Sequence, residues 1–343
     1  MSGAAVSVCV PVWNREDVLE QTLTSILEQT FDDLEVLVLD NASTDGSRTV
    51  AERVARRDSR VRVFVNTENI GGWPNHRRLL ELASGRYVKF CNSDDLLSPG
   101  TIERLAGWLD DPSIGLAFAR QTFADGNLRP LPGWGPPPLV AASGRIDGDT
   151  LIEACFERRS NLIGCPTATM FRRAELPPAT WASLGGSTFW VAGDLASWFP
   201  LARARAVGYV HDAPAVVRVH TQMESLAPAV SVLDVTDWAG MALEARRLGW
   251  PVGEATLRTV LGTTLRMLAA SDHVLGGSEW TPFVLRALEQ TASTLGALDA
   301  GAALPRDFVA SFAVPIPLPD MDPSHVACRE IATKRLMPRL LVG

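Results

Sequence analysis

Two hydrophobic periods alternate over the first 120 residues, and this constrains the fold of the chain more than any other feature. Val6-Ser7-Val8-Cys9-Val10 is a β-rich run that Pro11 ends, and Val18 to Thr30 then carries Leu19, Leu23, Ile26 and Leu27 at helical spacing. The cycle repeats with a strand over Leu34 to Asp40, a polar turn and a helix to about Arg57. A third strand over Val61 to Asn66 precedes the Gly71-Gly72 pair and a helix from Pro74 to Ala83. Arg86 to Asn92 reads as a fourth strand, after which Ser98 and Pro99 supply an N-cap and first helical residue for a helix to Leu109. Such alternation predicts βαβ units and a mostly parallel sheet with helices on both faces. Asn14, Asp40, Asn69 and Asp94 then fall at the carboxyl ends of the strands, the edge where open α/β sheets bind ligands.

Beyond residue 120 the pattern changes. Leu131-Pro132-Gly133-Trp134-Gly135-Pro136-Pro137-Pro138 reads as a surface loop or interdomain connection. A mixed stretch follows from Thr150 to His220, and Val232 to Leu298 is helical in period, with Leu257, Leu261, Leu265 and Leu268 on one stripe. The expected division is a domain over 1–225, in halves of about 1–120 and 121–225, and a mainly helical region over 226–343. That helical region is expected to shape an acceptor site or a homo-oligomer contact.

Several classes are disfavoured by composition. With 343 residues, 46% of them hydrophobic and 21% charged, the chain has the balance of a globular protein. Its net charge of −7 argues against nucleic acid as a partner, since that binding draws on clustered Lys and Arg. Cys9, Cys91, Cys155, Cys165 and Cys328 lack paired short spacings, so neither a zinc site nor a disulfide framework is expected. No run reaches the apolar length of a membrane span and the first residues lack a signal-peptide pattern, so a cytoplasmic location is expected. The basic stretch Lys334 to Arg339 reads as solvated.

Two clusters carry chemistry. Asn92-Ser93-Asp94-Asp95 ends a hydrophobic strand, and adjacent carboxylates repel unless something offsets their charge. A divalent cation bridging to a diphosphate is one answer and helix capping is the other. Asp40 ends a strand of its own, where a carboxylate needs a partner such as a base N–H; Asp45, in the turn that follows, reads as a cap.

Pro11-Val12-Trp13-Asn14-Arg15, Asp40 with Ser43 to Ser47, Asn69-Ile70-Gly71-Gly72 and Asn92 to Asp95 together resemble the family 2 glycosyltransferases of the GT-A fold in order and spacing. The resemblance is strong over residues 4–120 and weaker over 160–220. It implies a GT-A fold, in which a mostly parallel sheet is flanked by helices, and a nucleotide-diphospho-sugar donor, usually a UDP-sugar. It also implies Mg²⁺ or Mn²⁺ as cofactor and inversion at the anomeric carbon. On matching positions Pro11, Trp13, Asn14 and Arg15 would wall the nucleotide and Asp40 would hold the base. Asn69 and Arg77 (or Arg78) would reach the diphosphate. Asn92, Ser93 and Asp94 would line the ribose side, while Asp95 would bind the metal. Asn161 to Arg173 resembles the segment lining the donor sugar, Asp194 matches the catalytic base, and Arg218-Val219-His220 resembles a closing Arg-x-His whose His touches the metal or the diphosphate. Trp13 stands where Tyr is frequent, Asn92 where Asp is commoner, and Gly193 where many members carry an acid.

The acceptor is expected to bear a hydroxyl, on a saccharide, a lipid-linked saccharide or a small molecule. Trp134, Trp181, Trp190 and Trp198 fall on the expected acceptor side, where aromatic faces suit rings, although core packing explains most Trp residues. Two further readings stay open: a non-catalytic nucleotide-sugar-binding protein and a nucleotidyltransferase. The second lacks the Gly-rich loop near the first strand that a triphosphate grip needs.

Overall fold

The computed structural model describes residues 4–220, 228–275, 281–302 and 304. Cys328 and the basic stretch 334–339 lie outside the described residues, as does most of the chain after 302. In chain order the elements are β1 (Val6–Val12), α1 (Leu19–Leu27), β2 (Leu34–Asp40), α2 (Ser47–Ala55), β3 (Val61–Val65) and α3 (Gly72–Leu82). Next come β4 (Tyr87–Phe90), β5 (Leu96–Leu97), α4 (Thr101–Leu109), β6 (Ile114–Ala124), β7 (Gly144–Ile146) and α5 (Gly148–Arg158). The remainder are β8 (Thr169–Arg172), β9 (Ser183–Leu184), β10 (Ser187–Thr188), α6 (Gly193–Ala204), β11 (Ala206–Arg218), α7 (Pro228–Arg247), α8 (Glu254–Leu275) and α9 (Thr281–Asp299).

The chain divides into two units. One takes in Met1–Ile152, Ser160–Ala182 and Ser197–Val219, and the other Glu153–Arg159, Ser183–Ala196 and the chain from His220 onward. Two short segments before residue 200 therefore group with the C-terminal helices, an arrangement that a single cut at 225 does not describe.

In the first unit, the described strands form one sheet in the order β3-β2-β1-β4-β8-β6-β11-β5, with β7 pairing β11 from the side. β3, β2, β1 and β4 run parallel, which fits the expected βαβ pattern, and β8 lies antiparallel between β4 and β6. Both faces of the centre are covered, so β1 and β2 bury nearly every residue, as the continuous Val/Leu runs require. Leu19, Leu23 and Ile26 of α1 join Ile102, Leu105 and Leu109 of α4 in the core beside Val6, Val8, Val36 and Val38.

Two local expectations were off by a few residues. β1 continues through Pro11 to Val12, because its rungs to β4 stop at Cys9↔Phe90 while those to β2 run on to Val12↔Asp40. Pro11 lies past the β4 ladder, where a missing N–H is tolerated. Helix α4 starts at Thr101, not Pro99: Leu96-Leu97 first pair with Val216-Ala215, and Gly100 then turns the chain at φ +78. A side chain is strained at that angle, so glycine rather than the Ser-Pro pair sets the helix start.

In the second unit α7, α8 and α9 succeed one another as neighbouring helices, with the β9–β10 hairpin against α7. Phe156 meets Trp238 edge-on at 6.0 Å. No described helix is long and apolar enough to cross a membrane.

Candidate functional site

The first unit gathers the expected nucleotide residues at the carboxyl edge of β1, β2, β3 and β4. The loops after β1 and β2 are laced together. Asn14 takes the left-handed φ of +51, its N–H donates to Ser43 Oγ at 3.0 Å, and its Oδ1 accepts from Thr44 N–H at 2.8 Å. Arg15 N–H donates to Ser47 Oγ at 2.6 Å, and the Asp45 carboxylate accepts from Glu16 and Ser47 N–H. Asp45 is thus a loop clasp and cap, as its place in the turn suggested.

At the end of β2, Asp40 is 2% exposed. Its Oδ2 accepts a bond from Ser43 N–H at 3.2 Å, while Oδ1 is buried and has no hydrogen-bond partner among the described residues. A buried carboxylate oxygen without a donor costs on the order of 1–3 kcal/mol or more.

Next to it lies an amide network that the sequence did not reveal. Asn41 Nδ2 donates to Asn69 Oδ1 at 2.6 Å, and Asn66 Nδ2 donates to Asn41 Oδ1 and Asn75 Oδ1. Asn69 Oδ1 also accepts from Gly71 N–H, so its oxygen is committed to holding the Gly-Gly turn. Arg78 donates to Asn66 Oδ1 at 2.6 Å, whereas Arg77 is exposed and reaches the Ala179 carbonyl at 3.5 Å.

The acidic motif after β4 separates its two carboxylates. Asp94 has a side chain 16% exposed and accepts from Arg15 Nε at 3.0 Å, which ties it to the β1 loop. Asp95 is 2% exposed: its Oδ1 accepts from Arg218 N–H at 3.0 Å and its Oδ2 from the Thr167 hydroxyl at 2.5 Å and Asn92 Nδ2 at 3.3 Å. Burial first, and then the neighbouring Asp94 charge, pushes the Asp95 carboxyl well above the usual carboxylate range. The Arg218 guanidinium spans the Asp94 carbonyl, the Gly126 carbonyl and Gln21. Ser93 is buried, with its carbonyl accepting from Thr22.

Under this motif sits Lys89, fully buried, donating to the Phe90 and Thr167 carbonyls, and burial lowers its pKa to about 8. Lys89 and Thr167 were missed by sequence reasoning. A lone Lys between Val88 and Phe90 in a buried strand was the available signal; Thr167 fell inside the segment 161–173, but nothing there singled out its hydroxyl, whose role depends on a contact 72 residues away.

His76 is likewise missed. It stacks on Trp181 at 5.5 Å, with Trp73 and Phe90 around it, its Nδ1 bonds the Gly72 carbonyl, and burial holds its pKa down at about 4. The ring is therefore neutral. Trp181 and Trp198 are fully buried in this aromatic cluster, which removes them from any acceptor surface; Trp134 is half-buried and Trp190 likewise.

A cation needs oxygen ligands, and no group of three or more His, Cys, Asp or Glu residues among the described ones is placed to hold one. One accessible carboxylate, Asp94, suits the pattern in which Mg²⁺ or Mn²⁺ takes its remaining ligands from phosphates and water. Asp95, with both oxygens bonded by protein donors, does not present itself for that role.

In the second unit, Asp194 lies in the first turn of α6 and is buried, its Oδ1 accepting the Leu195 N–H at 2.7 Å. The residues leading into it are pinned by Asp237 of α7, whose Oδ2 accepts from Val191 N–H at 2.7 Å and Ala192 N–H at 3.0 Å. Asp237 is buried, which raises its pKa to about 7. His220 is half-buried and is the last described residue before the gap at 221–227.

Residues 7–176 match the family described as glycosyl transferase family 2. Protein MT1568 of Mycobacterium tuberculosis is 33% identical over 172 residues, which is 49% of this chain and 53% of that protein. The chain thus spans about half the length of this relative. The crystal structure of S. aureus TarS 1–349 with UDP-GlcNAc aligns over 90% of this chain and 89% of its own, at TM-score 0.59 and 18% identity. The mannosyltransferase PcManGT of Pyrobaculum calidifontis, in complex with GDP-Man and Mn²⁺, aligns over 91% and 86%, at TM-score 0.51 and 19% identity.

Proposed function

The chain belongs to glycosyltransferase family 2 and has its GT-A fold, and from that premise we propose that it transfers a sugar from a nucleoside-diphosphate donor, a UDP-sugar first among them, to a hydroxyl-bearing acceptor, with inversion. The observation that carries this reading is Asp40 Oδ1, a buried acceptor at the carboxyl end of β2 with no donor among the described residues. The N–H of a nucleobase such as uracil supplies what it lacks. Pro11, Trp13, Asn14 and Arg15 wall the base and ribose in this reading. Asn69 acts by shaping the Gly71-Gly72 turn, and Arg77, exposed on α3, is the cation open to the diphosphate.

Asn92, Ser93 and Asp94 follow on the ribose side. The divalent cation, Mg²⁺ or Mn²⁺, is assigned to Asp94; Asp95 serves instead as the buried post that holds Arg218 and Thr167 in place. Such a cation would stabilise charge on the departing diphosphate. To Asp194 we assign removal of the acceptor hydroxyl proton, and to His220 a contact with the diphosphate or its cation.

The test is an NMR assay for nucleoside diphosphate released from UDP-, GDP- and dTDP-sugars, with and without Mn²⁺. Release from one donor that ceases in the Asp194→Asn variant supports the assignment. Equal release by that variant removes Asp194 from the mechanism, and no release from any donor with any acceptor offered favours the non-catalytic alternative.

A further inference from the structure

A cavity of about 440 Å³ lies within the first unit, between the C-terminal half of β6 and the Pro-rich loop 130–140. Its size is in the range of ligand pockets. The loop is fixed over the sheet: Leu131 N–H donates to the Phe123 carbonyl at 2.8 Å, and Ala124 pairs with Pro130. Gly135, at φ +74, lies against the Phe123 ring, where a Cβ would come within 2.3 Å of a ring carbon. Only glycine closes the wall in that way.

The lining is largely apolar and aromatic, with Gln121, Thr122 and Tyr209 as polar members and one charge. Phe123, Trp134, Leu162, Ile163 and Tyr209 contribute walls, and Arg120 is the only Lys, Arg, His, Asp or Glu among the lining residues. Arg120 makes no hydrogen bond or ion pair among the described residues, and its Nε is buried without a partner. A half-buried guanidinium whose Nε lacks an acceptor is suited to receive an anion.

We propose that this cavity seats the acceptor, and that the acceptor is a ring-bearing molecule whose carboxylate is held by Arg120. This rests on the transferase reading only in naming the ligand an acceptor. The charge count selects the class. One guanidinium balances one negative charge and presents a planar fork to a planar carboxylate, whereas a phosphate dianion would be left with one charge unmatched by any second cation of the lining. The walls select a ring, since Trp134, Phe123 and the prolines offer flat faces.

The cavity also leads toward the residues of the proposed donor site. Leu162 and Ile163 belong to the segment that resembles a donor-sugar wall, and Gln121 of β6 accepts from Cys165 N–H at 3.0 Å in the same segment. Four residues on from Arg120, about 13 Å along a strand, Ala124 pairs with Arg218, whose N–H bonds Asp95. A ring anchored by its carboxylate at Arg120 extends in that direction.

The experiment is ligand-observed NMR with two matched pairs of probes: 4-hydroxybenzoate against its methyl ester, and D-glucuronate against D-glucose. The wild type is expected to bind one acid about tenfold more tightly than its neutral partner, and the preferred pair shows whether the ring is aromatic or a sugar. Arg120→Gln brings that ratio close to one, while Arg120→Lys retains part of it. No preference for either acid, or a preference unchanged in Arg120→Gln, overturns the proposal. UDP affinity measured alongside separates the two ideas: Arg120→Gln keeps it, and a wild type that prefers an acid yet binds no nucleotide would sink the donor reading while leaving the cavity assignment standing.

Discussion

Asp237 gives the sharpest energetic prediction, because its environment fixes the sign and bounds the size. The carboxyl is buried, and desolvation raises its pKa from the ordinary 3.8 to about 7, against the opposing pull of the Val191 and Ala192 N–H groups and with help from Asp234 on the same helix. Asp234 in turn pairs with Arg159 at 3.2 Å. A folded pKa above the unfolded one means that the native state keeps a proton the unfolded chain releases. Stability from this group is therefore intact below about pH 4 and is lost as pH climbs toward about 7. At roughly 1.4 kcal/mol per unit, a rise of about three units caps the loss near 4 kcal/mol. Asp237→Asn keeps an oxygen for the two N–H groups and cannot ionise, so it lacks this slope. Urea unfolding of both proteins by circular dichroism at steps from about pH 4.5 to 7.5 should show the wild type losing about 2–4 kcal/mol relative to the variant. A difference that is flat, or that grows in favour of the wild type, would refute the argument. Asp237→Ala, which strips both N–H groups of their acceptor, should destabilise by about 2–4 kcal/mol near pH 4.5, a deficit that shrinks as pH rises because the variant also lacks the titrating carboxyl.

Thr167→Val removes the hydroxyl that donates to Asp95 and accepts from Asn92 N–H; a loss of about 3 kcal/mol is expected, and an unchanged urea midpoint would mean that the network is not structural. Asp94→Asn should weaken UDP binding about tenfold in Mn²⁺ and leave it unchanged in EDTA, as read by calorimetry; equal loss in both buffers would point to Arg15 rather than to a cation. Asp194→Asn should lower transfer about a hundredfold or more while retaining nucleotide affinity, so a variant with wild-type turnover would contradict the base assignment.

The parallel half of the sheet was legible because each strand from Val6 to Phe90 is a short run rich in apolar residues closed by a polar turn, and each helix carries its own stripe. Antiparallel β8, four residues long, has no such signature; its place is set by pairing with strands far from it in sequence. The carboxylates show the same limit. Asp94 and Asp95 are adjacent and chemically alike, and what separates them is an N–H from Arg218, 123 residues later. For Asp40 the strand-end position alone pointed to a carboxylate in need of a partner, and among the described residues Oδ1 has no donor. Trp181 and Trp198 show why residue type is a poor guide to surface chemistry, since packing around His76 and Phe171 buries both.

The central claim is that the carboxyl edge of β1 to β4 holds a nucleoside diphosphate. Calorimetric titration of UDP, GDP, dTDP and CDP, each in Mn²⁺ and in EDTA, tests it most directly. The account predicts saturable binding of one nucleotide, UDP first, that weakens in EDTA and is lost in Asp40→Ala. Binding of none of the four, or binding indifferent to Asp40, would contradict it.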